Sequence, residues 1–149
     1  MKQELDEYLC KVYPKMMGNR NLPMTETAMC WGFECGDGWF NILNQLMGNI
    51  QNHIDWQNRN GEVVPQVTVD QVKEKFGTLR FYYTGGDDYI RGMVALAESL
   101  SGVTCESCGN PSEVQNNGGW MRSICNSCEE KREAERDETL KSFIKNDIL

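Results

Sequence analysis

Val67-Thr-Val-Asp-Gln-Val-Lys-Glu-Lys-Phe-Gly-Thr-Leu-Arg-Phe-Tyr-Tyr83 is the stretch on which the fold turns. Val67 and Val69 alternate with polar residues, Val72, Glu74 and Phe76 take the other parity, and Leu79, Phe81 and Tyr83 alternate again. Successive side chains of a strand point to opposite faces, so this pattern predicts two strands. They form a β-hairpin turning near Phe76-Gly77-Thr78, and the change of parity predicts a bulge at Asp70-Gln71.

Upstream, Leu5, Tyr8, Leu9 and Val12 make one helical stripe that stops before Pro14. Residues 14–36 lose the period at Pro14, Gly18 and Pro23, yet carry Met16, Met17, Met24, Met29, Trp31 and Phe33. That apolar weight predicts an irregular segment packed across the body. A second helix follows Gly36-Asp37-Gly38, with Asp37 as its expected N-cap. Trp39, Phe40, Leu43, Leu46, Met47, Ile50 and Ile54 form its apolar face, and Asn58-Arg59-Asn60-Gly61 ends it.

Downstream, Gly85-Gly86-Asp87-Asp88 caps a third helix with a buried stripe of Ile90, Met93, Val94, Ala97 and Leu100, stopped at Gly102. From Glu129 the chain reads as a charged helix with a late apolar face of Leu140, Phe143, Ile144 and Ile148. That face needs cover from the body or from a second subunit, so a homodimer is one expectation. The reading is α+β. A small antiparallel hairpin or sheet packs on three helices in residues 1–102, and 103–149 append a treble-clef or ribbon finger with its C-terminal helix.

Cys105-Glu-Ser-Cys108 and Cys125-Asn-Ser-Cys128 enclose sixteen residues. Two such pairs, joined by a spacer long enough for a hairpin, supply the four thiolates of a tetrahedral Zn²⁺ site. Gly109, Pro111, Asn117, Gly118 and Gly119 provide the turns. Cys125 and Cys128 fall at the start of the last helix, whose positive end favours thiolates. One structural zinc per chain is expected, in preference to two disulfides; iron uses the same ligands in rubredoxin-like sites. Four protein ligands leave no position for water, so such a site organises a fold and hydrolyses nothing.

The chain of 149 residues has 15 Lys+Arg against 22 Asp+Glu, a net charge of −7, and a single His. Between Val103 and Cys128 the only basic residue is Arg122, which weighs against a finger that grips phosphates. A nucleophilic triad would have to use His53, and no nucleophile elbow is present, so an enzyme is not expected. A carboxylate-held Mg²⁺ needs no sequence signature and stays open as an alternative. Cys10, Cys30 and Cys35 match no ligand spacing and read as packing residues. The N-terminal Met-Lys-Gln-Glu-Leu-Asp-Glu has no signal-peptide core, and no apolar run spans a bilayer, so a cytoplasmic location is expected.

Around the hairpin, Lys73, Lys75, Arg80, Tyr82 and Arg91 lie within twenty residues. Basic and aromatic side chains on adjacent strands can hold an anion and stack a base, which makes these five the candidate ligand-binding residues. An amphipathic hairpin with one buried and one solvated face has the same pattern.

Cys-Gly-Asp-Gly-Trp-Phe (35–40), Val-Lys-Glu-Lys-Phe-Gly-Thr-Leu-Arg-Phe-Tyr-Tyr (72–83), Ala-Glu-Ser (97–99) and the paired Cys-x-x-Cys together resemble a family of small phage and prophage proteins. The likeness implies a phage setting, hence the host cytosol, and stoichiometric binding of a host protein or of an anionic nucleotide signal used in defence. Cys-Glu-Ser-Cys-Gly-Asn-Pro (105–111) is similar to the finger of the DnaK-suppressor family of RNA polymerase regulators. That likeness implies the alternative role, a nucleic-acid- or transcription-complex-binding finger. Members of that family carry a long coiled coil before the finger, where this chain has only the short helix read from Asp87 to Ser101.

Overall fold

The computed structural model describes residues 1–146. Its order is α1 (Gln3–Val12), β1 (Phe33–Glu34), α2 (Phe40–Arg59), β2 (Thr68–Lys75), β3 (Thr78–Thr84), α3 (Asp88–Ser101), β4 (Glu113–Asn117), β5 (Trp120–Ile124) and α4 (Asn126–Asn146). The α+β class stands. Among the described residues no helix is long and apolar enough to cross a membrane.

β2 and β3 pair antiparallel, with Val72 opposite Phe81 and Lys73 opposite Arg80, and the register slips between Val69 and Gln71 at the expected bulge. Asp70, left over there, accepts from Asn19 Nδ2 at 3.1 Å and Thr84 Oγ1 at 2.8 Å. Phe76 and Gly77 make the turn with φ of 55° and 79°. The hairpin does not stand alone: β1 joins β2 in parallel, Phe33 beside Val72 and Glu34 beside Lys73, so the sheet is mixed. β3 is an edge, and α3 covers it. Glu98 Oε1 accepts from Phe81 N at 2.9 Å and Ser101 Oγ from Leu79 N at 2.8 Å, which blocks pairing by another strand.

Val69, Val72, Leu79 and Phe81 turn inward onto Leu43, Met47, Ile50, Ile90 and Val94 in one core. Residues 14–36 join it through Met16, Met17, Met29 and Phe33, while Met24 and Trp31 remain exposed. Three expected placements change. In α1 Asp6 and Leu9 are buried and Tyr8 and Val12 exposed, because Asp6 is drawn in by Arg20 and the Phe33 N–H. In α3 Ser101 is buried and Leu100 exposed, the serine being needed at the β3 edge. Asp37 does not cap α2: its carboxylate accepts from Lys2 N at 2.7 Å and pairs with Lys2 Nζ at 3.3 Å, tying down the start of α1.

Beyond Glu129, every described side chain of α4 is exposed except Arg132, which forks onto Glu129. Leu140 and Ile144 are 52 % and 61 % exposed, so these two residues of the expected apolar face find no cover on the body. The reading of Phe143 and Ile148 falls outside the described side chains.

Candidate metal centre and binding face

The first knuckle is a tight turn from Cys105, closed by Gly109 N donating to Cys105 O at 2.8 Å. Gly109 has φ of 80°, a conformation glycine adopts without steric cost. β4 and β5 form the spacer hairpin, and Cys125 then stands immediately before α4. Its carbonyl accepts from Cys128 N and Glu129 N, both at 3.0 Å, which turns the second pair back toward the first. Knuckle, hairpin and helix follow in treble-clef order.

The four sulfurs lie within 4.8 Å of one another, and Cys108 Sγ to Cys125 Sγ is 3.6 Å. A disulfide needs about 2.05 Å. Thiolates at about 2.3 Å from a tetrahedral ion stand just under 4 Å apart, so the cluster has the span of a metal site. Its thiols also resist ionising together. The Ser127 hydroxyl and the Cys128 N–H bring Cys125 down to about 6, whereas Cys108 and Cys125 push Cys128 up to about 12. A dication among the sulfurs reverses that repulsion.

The knuckle is seated on the body. Gly36 N donates to Glu106 Oε1 at 2.8 Å, Gly38 N to Glu106 O at 2.7 Å, and Trp39 Nε1 to Thr104 O at 2.8 Å. A Cβ on Gly36 or Gly38 would drive into the carbonyl oxygens of Glu106 and Cys105, so these glycines serve close backbone approach. On the other side Ser123 Oγ donates to Gly77 O at 2.6 Å, and Gly77 abuts Val114. Cys35-Gly-Asp-Gly-Trp-Phe40 is thus a docking seat for the finger.

Of the candidate ligand-binding residues, Lys73, Lys75, Arg80 and Tyr82 share the open face of the sheet, opposite the face of Val72 and Phe81. Lys73 Nζ lies 5.8 Å from the centre of the Tyr82 ring, and Glu34 and Gln71 complete the face. Arg80 Nη1 donates to Thr78 Oγ1 at 2.6 Å and Leu79 O at 2.8 Å. Among the described residues Lys73, Lys75 and Arg80 form no ion pair. Arg91 stands apart on α3, paired with Asp88 at 3.0 Å. Cys35 is a packing residue whose thiol burial pushes up to about 12. Cys10 points at Asp6, and no second metal cluster occurs among the described residues.

His53 on α2 meets Asp87 at 2.8 Å, while Asp87 caps α3 by accepting from Ile90 N at 3.0 Å. Burial works against the charge of Asp87, yet these two bonds hold its carboxyl below the usual carboxylate range. Asp37 and Asp55 are lowered as well, chiefly by the Lys2 N–H and the Lys15 ammonium. A carboxyl depressed on folding adds stability above its unfolded pKa, and that stability is lost as pH falls through its folded value. Stability is therefore expected to hold from neutrality to about pH 5 and to fall below about pH 4. Asp87→Asn should flatten part of that fall in urea titrations repeated across the range. A fall of undiminished size in the variant counts against this account.

Set against family models, curated proteins and solved structures, the chain finds no match in any of the three.

Proposed function

We propose that this is a zinc-stabilised binding protein without turnover, which holds an anionic partner on the open face of β1–β3. Cys105, Cys108, Cys125 and Cys128 bind one Zn²⁺, which supplies cross-linking of the knuckle to the start of α4. With all four positions filled by thiolates, the ion is structural. The reading without turnover is further supported by His53, the lone histidine, whose Nε2 is committed to Asp87 and whose ring is stacked on Tyr89.

One observation carries the binding role. Among the described residues Arg80, Lys73 and Lys75 form no ion pair, and Glu98 and Asp37 are engaged elsewhere, by Phe81 N and Lys2. Arg80, Lys73 and Lys75 present their charge on this open face, Lys73 over Tyr82 and Lys75 over Phe76. A guanidinium there can form two parallel bonds to a phosphate or carboxylate, which lysine cannot reproduce. Small-molecule sites are concave, and an open sheet face fits the acidic surface of a host factor better than an isolated nucleotide. The likeness to small phage proteins supports the same stoichiometric role.

Arg80→Ala is the direct test. Binding is screened by thermal shift against mononucleotides, cyclic nucleotides and inorganic phosphate, and by capture of host proteins. The variant is expected to melt within about 1 kcal/mol of the parent, because no ion pair is broken. Its affinity should drop by about 2–5 kcal/mol if the anion is desolvated in the complex. A folded variant with unchanged binding overturns the reading. A variant that melts far below the parent shows instead that Arg80 is structural.

A further inference from the structure

On the helical side of the body a cleft of about 660 Å³ opens between the second half of α2 and the start of α3. Trp56 and Tyr89 line it and are 58 % and 64 % exposed, a large aromatic area left to solvent at one spot. We propose that this cleft binds a planar nitrogen heterocycle, a nucleobase carried by a nucleoside or nucleotide.

Three observations converge on that ligand. First, the aromatic wall is fixed in advance. Tyr89 stacks on His53 with ring centres 4.6 Å apart at 28°, His53 is held by Asp87, and Asp87 is anchored by Ile90 N. A wall already ordered loses little freedom when a ring stacks on it. Second, three carboxamides, Asn49, Asn52 and Gln57, join the lining, together with Met93 and with Arg59, whose Nε donates to Asp55 O at 3.0 Å. Among the described residues the side chains of Asn52 and Gln57 make no hydrogen bond. Each offers a donor and an acceptor, the pairing that a base edge displays. Third, the volume falls within the range of small-ligand clefts, and stacking combined with a few convergent polar groups is how proteins hold bases.

Asn52 and Gln57 sit on α2 one residue either side of the His53–Trp56 pair, so one helix supplies both the ring and the edge contacts. Neither Trp56 nor Tyr89 belongs to the buried core, so replacing them leaves the fold intact. This site is separate from Arg80 and its face of the sheet, and uncharged nucleosides keep the two readings apart.

Titration of the intact, metal-loaded protein with adenosine, inosine, cytidine and uridine, and with their 5′-monophosphates, is followed by tryptophan fluorescence and thermal shift. At least one base is expected to bind with a Kd below about 1 mM. Trp56→Ala and Tyr89→Ala should each weaken that binding about tenfold or more at unchanged melting temperature, with Arg80→Ala leaving it untouched. Trp56→Phe should retain most of it, since the stacking surface survives. Absence of any response up to that concentration overturns the proposal. So does binding that persists in both alanine variants, or that disappears with Arg80→Ala alone.

Discussion

Removal of the metal is expected to unfold residues 105–128 and to weaken the body beneath them. Structural zinc contributes on the order of 10–16 kcal/mol at a four-ligand site, as much as a whole domain's net stability. The finger has little else to hold it. Val114 is only partly buried and Trp120 and Met121 are exposed, leaving Ile124 and Ser123 as the buried residues among those described in its hairpin. Cys108→Ser should therefore act like a chelator, exposing the amides of β4 and β5 to exchange. The body suffers too, because Gly36 N, Gly38 N and Trp39 Nε1 all donate to residues 104–106. Donors left unpaired in a partly buried seat cost about 1–3 kcal/mol each, so the melting temperature of the remainder should drop measurably. Metal analysis of the purified protein should return one equivalent of zinc. Less than about half an equivalent of zinc and iron combined, or unchanged exchange in Cys108→Ser, defeats the assignment.

Periodicity and spacing are local signals, and what they encode was legible. The hairpin, its turn at Phe76-Gly77, the bulge at Asp70 and the sulfur cluster all rest on residues close in the chain or on a recurrent spacing. Two-residue β1 has no period to read, so the parallel strand that makes the sheet mixed stayed hidden. Capping chemistry misled at Asp37. Gly-Asp-Gly before an apolar helix has the composition of an N-cap, but Lys2, thirty-five positions away, claims the carboxylate. The glycines flanking it serve the knuckle, a partner seventy residues downstream of Gly36. At Asp87 the same chemistry read correctly, because its cap partner Ile90 is three residues on. The cleft of Trp56 and Tyr89 left no trace either, since an exposed aromatic on a helix is unremarkable until a second one faces the same space.

Asp6→Ala is expected to destabilise the body by about 3–5 kcal/mol, as much as truncating a large core side chain. A charged residue on the first helix looks like surface, yet Asp6 is buried, and it organises the whole irregular segment. Its Oδ1 receives Arg20 Nη2 at 3.1 Å, and its Oδ2 receives Phe33 N at 2.9 Å. Arg20 then reaches Cys30 O at 3.0 Å, so one carboxylate fastens α1, residues 20–30 and β1 together. Gly32, with φ of 74°, lies so close to Oδ2 that any Cβ would strike it. Alanine at position 6 strands a partly buried guanidinium and orphans the Phe33 N–H, and removal of one partner costs more than the pair contributes. Because β1 leads straight into the Cys35–Trp39 seat, the damage should reach the finger as weaker protection of β4 and β5. Asp6→Asn keeps an acceptor for Phe33 N and should recover part of the loss. In the Arg20→Met background the cost of Asp6→Ala should shrink, since no charge is then left behind. Urea unfolding of the parent and these four variants settles it: a cost under about 1 kcal/mol for Asp6→Ala, or an equal cost in both backgrounds, places the stabilising force elsewhere.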